Sequence, residues 1–140
     1  MGIADISYTD IDQMLATYPL VILEFWARWS GSTRAFEVTF EEAARQNADI
    51  AFLRADIDQE PELSARFEID SVPVLIGFYN GFPVLNRPGA PSPIQLDKFL
   101  EKLRNSDPDE LLRRKFGLGD DGGATGIRRF FNVRGKGIAT

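Results

Sequence analysis

The sequence predicts an α/β fold: a mixed central sheet with helices on both faces. Apolar runs typical of buried strands alternate along the chain with segments whose apolar residues recur every three or four positions, as in amphipathic helices. Strands separated by helices are expected to pair in parallel. Asn80-Gly81 is a strong hairpin signal, and it adds an antiparallel strand beside the preceding one.

Each element carries a local signal, and together they give the order α-β-α-β-α-β-β-α. Thr9 and Asp12 suit a capping pair at the first helix, and Pro19 ends that helix. A turn and N-cap at 30–33 begin the second helix, and Pro61 lies near the start of the third. The predicted helices are 9–18, 33–46, 61–67 and 93–103, and the predicted strands are 20–26, 50–55, 72–79 and 82–85.

Two of these helices have apolar faces that predict contacts with the sheet. The second helix is expected to bury Phe36, Phe40, Ala43 and Ala44. In the last helix, the apolar contacts are expected to be Ile94, Phe99 and Leu103.

The composition changes at Asn105, and this divides the chain into a domain at 1–105, an additional helix at 106–116 and a tail at 117–140. Asp107 suits an N-cap, and Pro108 suits the first position of the additional helix. Seven of the chain's 12 glycines lie in 117–140, which predicts a flexible tail.

The tail also groups aromatic residues with cations. Arg128 and Arg129 precede Phe130 and Phe131, and no acidic residue lies between Ile127 and Lys136. Such a segment can bind an acidic partner, a membrane surface or nucleic acid, and we expect another protein to be the partner. The alternative is a tail that folds back on the acidic body of the chain.

Composition excludes several classes of function. The chain has neither cysteine nor histidine, so it can form no disulfide, no thiolate metal site and no Ser–His or Cys–His catalytic pair. We therefore expect no metal and no cofactor. Residues 1–105 hold 9 Lys and Arg against 16 Asp and Glu, a net charge of −7 that disfavours nucleic acid. The sequence has no membrane-length apolar run and no signal-peptide pattern, so we expect a cytoplasmic protein.

Several motifs carry a resemblance to a known family. Residues 20–103 resemble thioredoxin in the order and spacing of five short segments: Phe25-Trp26-Ala27-Arg28-Trp29, Asp56-Ile57-Asp58, Val72-Pro73, Asn80-Gly81 and Gly89-Ala90. The resemblance implies the thioredoxin fold and a cis peptide bond before Pro73. It also implies a docking surface for extended peptides at Trp29, Val72, Pro73, Gly89 and Ala90.

The sequence departs from this family at the active site. Where the family has Trp-Cys-Gly-Pro-Cys, the chain has Trp29-Ser30-Gly31-Ser32-Thr33, so both sulfur positions carry hydroxyls. Disulfide exchange needs a thiolate, and a serine hydroxyl is far less acidic. We therefore expect no thiol–disulfide oxidoreductase activity and assign no catalytic residue. Ser30 and Thr33 are expected to cap the helix instead.

Two charged residues in the predicted sheet match family positions that matter to redox chemistry. Glu24 interrupts an apolar strand where the family has a buried carboxylate that accepts protons, and Arg54 falls where the family often has lysine. The resemblance implies either a residual acid–base pair or a buried ion pair that serves structure only.

The sequence therefore predicts a redox-inactive binding module, namely an adaptor, an assembly factor or a chaperone-like subunit. Two enzyme alternatives remain open. One is a thioredoxin-family oxidoreductase whose active-site cysteine has been replaced at Ser30. The other is a glutathione-binding enzyme in which Ser30 holds the thiolate, although no second, all-helical domain is recognisable in the sequence.

Overall fold

A five-stranded mixed sheet forms the centre of the structure, a computed structural model that describes residues 2–116. The elements, in chain order, are β1 (Ala4–Asp5), α1 (Ile11–Thr17), β2 (Leu20–Trp26), α2 (Gly31–Gln46), β3 (Ala51–Asp56), α3 (Pro61–Arg66), β4 (Val74–Tyr79), β5 (Phe82–Pro88), α4 (Pro93–Arg104) and α5 (Pro108–Phe116). The predictions made for the tail, residues 117–140, lie outside the described residues.

The sheet has the order β1-β3-β2-β4-β5, with β2 at its centre. β2 pairs in parallel with β3 and antiparallel with β4. Asn80 and Gly81 join β4 to β5 with positive φ angles of 48° and 86°, which suits the turn of a tight hairpin. The predicted mixed sheet is confirmed.

Helices cover both faces of the sheet, and each face has its own apolar core. On one face, α1 and α3 contribute Ile11, Leu15 and Leu63. On the other face, α2 and α4 pack their apolar sides against the sheet. This second core contains Ile22, Phe36, Phe40, Ala43, Ala44, Ile50, Phe52, Leu75, Leu96, Phe99, Leu100 and Leu103.

Two sequence predictions for the N-terminal part are wrong. The predicted element order lacks β1, a two-residue edge strand that pairs in parallel with β3 and is too short to show an apolar pattern. The Thr9–Asp12 capping pair does not form: Asp10 is the N-cap residue of α1, and its side chain makes no capping bond. Asp12 is instead drawn away by an ion pair, in which its Oδ1 lies 2.6 Å from Nη2 of Arg66 on α3.

Further differences concern element boundaries and one apolar residue. α2 begins at Gly31 rather than Thr33, and β4 begins at Val74 rather than Val72. β5 continues to Pro88, beyond the predicted end at residue 85, because its pairing with β4 resumes after an irregularity in register. Ile94 does not contact the core but is exposed, since the capping box of Ser92 and Gln95 sets the start of α4 so that Leu96 faces inward.

A pair of substitutions on α2 tests which of its faces supports the fold. Phe40 is fully buried against Phe52, whereas Val38 on the same helix is 72% exposed. Phe40→Ala is expected to lower the free energy of unfolding by about 3–5 kcal/mol because it leaves a cavity. Val38→Ala should change it by less than about 0.5 kcal/mol. Urea unfolding followed by circular dichroism measures both, and equal effects would contradict this packing.

Candidate functional site

One edge of the sheet gathers the loops that carry the candidate site. β2 and β3 run in parallel and both end at this edge, while the antiparallel β4 begins there and β5 returns to it. The loops after β2 and β3, before β4 and after β5 are therefore neighbours. The loop after β2 holds Trp29 and Ser30, and the loop after β3 holds Asp58. The loop before β4 holds Val72 and Pro73, and the loop after β5 holds Gly89 and Ala90.

Ser30 is the N-cap residue of α2, as the sequence predicted. Its φ and ψ of −87° and 118° are extended, and its Oγ accepts a hydrogen bond of 3.3 Å from the backbone N–H of Thr33. This bond satisfies one of the N–H groups that a helix start leaves without a partner. The predicted cap by Thr33 is wrong, because Thr33 lies inside the first turn and donates its N–H to the cap.

The first turn of α2 covers its polar groups unevenly. Ser30 is 8% exposed and Thr33 only 1%, whereas Gly31 and Ser32 lie at the surface. Within residues 2–116, Oγ1 of Thr33 has no hydrogen-bond partner. The two positions where the sequence resembles a Cys-x-x-Cys site thus hold one hydroxyl that caps the helix and one buried beneath it.

Trp29 is the largest exposed apolar group at this edge. Its side chain is 66% exposed, yet its Nε1 donates a hydrogen bond of 3.1 Å to Oδ2 of Asp58. Asp58 is in turn placed by its backbone N–H, which donates to Oδ1 of Asp56 at the end of β3. The indole is therefore held in a defined orientation at the surface, and its apolar ring remains available for contact.

The loop before β4 adds a length of backbone beside this edge. The peptide bond between Val72 and Pro73 is cis. The carbonyl oxygen of Pro73 accepts a 2.8 Å hydrogen bond from the N–H of Gly89, whose φ of 83° favours glycine. Within the part of the chain that the structure describes, the backbone of Val72 makes no hydrogen bond outside regular elements. Ala90 follows Gly89 and is exposed.

Glu24 and Arg54 form a buried ion pair beneath α2. They face each other in the β2–β3 register, and Nε of Arg54 lies 3.2 Å from Oε1 of Glu24. Nη1 of Arg54 also lies 3.7 Å from Oε1 of Glu37 on α2, and its guanidinium lies 4.3 Å from the centre of the Trp26 ring. The arginine thus links the sheet to the helix.

Burial sets the protonation of Glu24. Its side chain is fully buried, and desolvation raises its pKa from 4.5 to about 7, although the charge and hydrogen bond of Arg54 lower it. The nearby charge of Glu37 raises it further. Oε2 of Glu24 has no hydrogen-bond partner among residues 2–116, so the ionised carboxylate is only partly compensated.

Sequence reasoning missed three contributors to this site. Asp58 was recognised only as part of a motif, and its bond to Trp29 depends on how two loops meet. Glu37 lies one turn after Thr33 on α2, which was a usable signal for a second acid near Arg54. Trp26 was assigned to a strand end, but its ring also makes a cation–π contact with the guanidinium of Arg54.

The described part of the chain offers neither a metal site nor a membrane-spanning helix. Between Gly2 and Phe116, no group of three acidic or metal-ligating side chains could hold a metal ion. No helix in that part is long and apolar enough to cross a membrane.

Comparison with known proteins identifies the family. The family model "Thioredoxin" matches residues 3–102. The chain belongs to the thioredoxin family. It is 38% identical to a thioredoxin of Mycoplasmoides gallisepticum over 72 residues, 51% of this chain and 72% of the relative. It is 34% identical to a thioredoxin of Mycobacterium tuberculosis over 91 residues, 62% of this chain and 78% of the relative.

Solved structures agree with this assignment. The chain superimposes on Plasmodium falciparum thioredoxin with a TM-score of 0.67 and 26% identity, covering 71% of this chain and 97% of that structure. The predicted thioredoxin fold is confirmed. What separates this thioredoxin-family chain from the Cys-x-x-Cys pattern is the absence of any cysteine.

A single isosteric substitution tests the state of Glu24. Because its folded pKa of about 7 exceeds its unfolded value of 4.5, the stability that Glu24 contributes is full below about pH 4.5 and is lost as the pH rises to 7. Glu24→Gln cannot ionise, so it should abolish most of this fall, which is about 2–3 kcal/mol between pH 5 and pH 8. Urea unfolding at the two pH values measures the difference.

The chain offers favourable controls for this experiment. It has no histidine, so no imidazole titrates in the same interval. Glu41→Gln, an exposed change on α2, should leave the pH dependence of the wild type in place. If wild type and Glu24→Gln lost equal stability on going from pH 5 to pH 8, Glu24 would not be the titrating group.

Proposed function

We propose that this chain is a redox-inactive member of the thioredoxin family that binds another protein through the Trp29 and Pro73 edge of the sheet. The single observation that carries the proposal is that Trp29 is 66% exposed while Asp58 fixes its orientation. Exposing a large aromatic ring to water is unfavourable unless something contacts it, and aromatic residues are enriched where proteins bind one another. This use of the surface requires no thiol.

The chemistry at Ser30 supports the same proposal. Its Oγ is occupied as the helix cap and lies almost completely buried. A serine nucleophile needs a base that takes its proton, and the chain has no histidine for this role. Ser30 therefore serves as a structural residue in the proposed function, and the protein acts as an adaptor, an assembly factor or a chaperone-like subunit.

The loop around Pro73 suggests the form in which a partner binds. Val72 lies next to the exposed Trp29 edge with backbone groups that the sheet does not use. Free backbone N–H and C=O groups beside an apolar side chain suit an extended peptide, which pairs through its own backbone. The proposed partner is thus an extended segment of another protein, and the proposed location is the cytoplasm.

Absence of redox turnover is the first expected result. In an insulin reduction assay with dithiothreitol, the full chain should give only the rate seen without protein, because the chain has no cysteine thiol to form a mixed disulfide. A cysteine-containing thioredoxin serves as the positive control. Turnover above the background rate would favour an enzyme and remove the redox-inactive part of the proposal.

Substitution of the exposed indole tests the docking surface itself. Trp29→Ala should reduce the capture of partner proteins by the immobilised full chain by about tenfold, as expected when a central aromatic contact is removed. Capture is quantified by mass spectrometry for wild type and variants in parallel. Val38→Ala, which truncates another exposed apolar residue away from this edge, is the matched control.

Comparison of the two variants distinguishes binding at the Trp29 edge from nonspecific binding to exposed apolar residues. Partners lost with Trp29→Ala but retained with Val38→Ala are bound through the proposed edge. If both variants captured the same proteins as the wild type, the Trp29 edge would not be the binding surface. Thermal unfolding of each variant confirms that folding is unchanged.

A further inference from the structure

A groove between β5 and α4 has no role in the function proposed above. It has a volume of about 380 Å³ and lies at the edge of the sheet where β5 is the last strand. Leu85 and Phe99 form an apolar floor in it. Its charged and polar lining includes Gln95, Arg87, Lys98 and Lys102.

The groove concentrates positive charge in an otherwise acidic body. Residues 1–105 have nine Lys and Arg and a net charge of −7, yet three of the nine cations line this one groove, and no acidic residue of the described part of the chain lines it. Four of the other cations are held by ion pairs elsewhere: Arg45, Arg54, Arg66 and Arg104. Five cations of residues 1–105 thus have no ion pair with a described carboxylate, and three of these five line the groove.

The helical period determines which charged residues of α4 line the groove. Lys98 and Lys102 are four residues apart and therefore lie on one face, which is also the face of Phe99 that lines the groove. Asp97 and Glu101 each lie about 100° round the helix from the lysine that follows them in the chain, on the side away from Phe99, and neither is among the described residues that line the groove. Like charges at this spacing repel each other in the free protein, and an anionic ligand would relieve that repulsion.

Arg87 on β5 is the third cation that lines the groove, on the side that the sheet forms. Its Nη2 donates to Oε1 of Gln95 at 3.2 Å, and Gln95 is itself held by the capping box at the start of α4. This bond orients the guanidinium across the groove toward the helix. A fixed guanidinium and two flexible ammonium groups then border the apolar floor.

We infer that this groove binds an acidic segment of a partner protein, in which carboxylates flank an apolar side chain. The apolar side chain would cover Leu85 and Phe99, and the carboxylates would pair with Arg87, Lys98 and Lys102. A small inorganic anion would leave the apolar floor uncovered. A nucleic acid would meet the repulsion of the acidic body, whose charge exceeds that of the groove.

Binding of a defined peptide to the full chain tests this inference. The probe is a fluorescein-labelled peptide in which one leucine is flanked on each side by two glutamates, and fluorescence anisotropy reports its binding. A matched peptide with glutamine in place of each glutamate should bind at least about tenfold more weakly. Raising the salt from about 50 mM to about 300 mM should weaken the acidic peptide only.

Charge reversal locates the site. Lys98→Glu with Lys102→Glu should weaken binding of the acidic peptide by at least about tenfold. Arg28→Glu with Arg34→Glu is the matched control, since both arginines are exposed and lie outside the groove. It makes the same change in net charge, so it should weaken binding by no more than about twofold. Trp29→Ala should leave binding unchanged, which keeps this test independent of the docking surface proposed above.

Several results would overturn the inference. These are equal binding of the glutamate and glutamine peptides, or equal effects of the groove pair and the control pair. Tighter binding of a single-stranded DNA oligonucleotide at the lysines would assign the groove to nucleic acid instead. A dimer that the charge reversal dissociates in sedimentation experiments would assign it to a second copy. If the reversed variant does not fold, Lys98→Gln with Lys102→Gln replaces it and Arg28→Gln with Arg34→Gln becomes the control; the lysine pair should then lose less affinity than on reversal but more than the control.

Discussion

The burial of β2 on both faces is the constraint on which the rest of the structure depends. Val21, Leu23 and Phe25 enter one core, and Ile22 enters the other. A strand with two buried faces needs helices on both sides and a hydrogen-bonded neighbour along each edge, and β3 and β4 supply those neighbours. The same strand ends at Trp26, so it also sets where the loop with Trp29 and Ser30 begins.

That constraint has a cost at Glu24. The carboxyl group lies in the central strand, and Arg54 links it to the half-exposed Glu37, so that a polar cluster extends from the sheet to the surface of α2. If one member of such a cluster is removed, the charges of the others lose their partner, so substitutions at these residues are expected to affect one another. The cluster joins the sheet to α2, the helix whose first turn lies at the candidate docking edge.

Much of the fold was predictable because its signals are local and repeated. The two-sided burial of β2, the apolar stripe of α2 and the Asn80-Gly81 turn each identify an element without reference to the rest of the chain. β1 was not predictable in this way, because two residues carry no period and form a strand only through pairing with β3. Ile94 was misassigned because the register of α4 depends on its capping box.

The candidate site likewise has features that the sequence predicts and features that it does not. The cap at Ser30 and the pairing of Glu24 with Arg54 were predictable, since the first needs only a helix start and the second only neighbouring strands. The bond from Trp29 to Asp58 joins loops that are far apart in sequence, and the cationic groove joins a strand to a helix face. Such contacts join residues that are distant in sequence and form only when the chain folds, so no local sequence pattern predicts them.

The hydroxyl cap also bears on how this sequence can change. Ser30 gives α2 a hydroxyl oxygen that accepts from the N–H of Thr33, and a thiol is a much weaker acceptor. Replacing an N-cap serine with a residue that cannot cap costs about 1 kcal/mol. Substitution of Ser30 by cysteine would therefore weaken the helix before any second thiol at Thr33 could make the first useful. The serine thus has a stabilising role in α2 that is unrelated to catalysis, and a gain of thiol chemistry at this position would begin with a loss of stability.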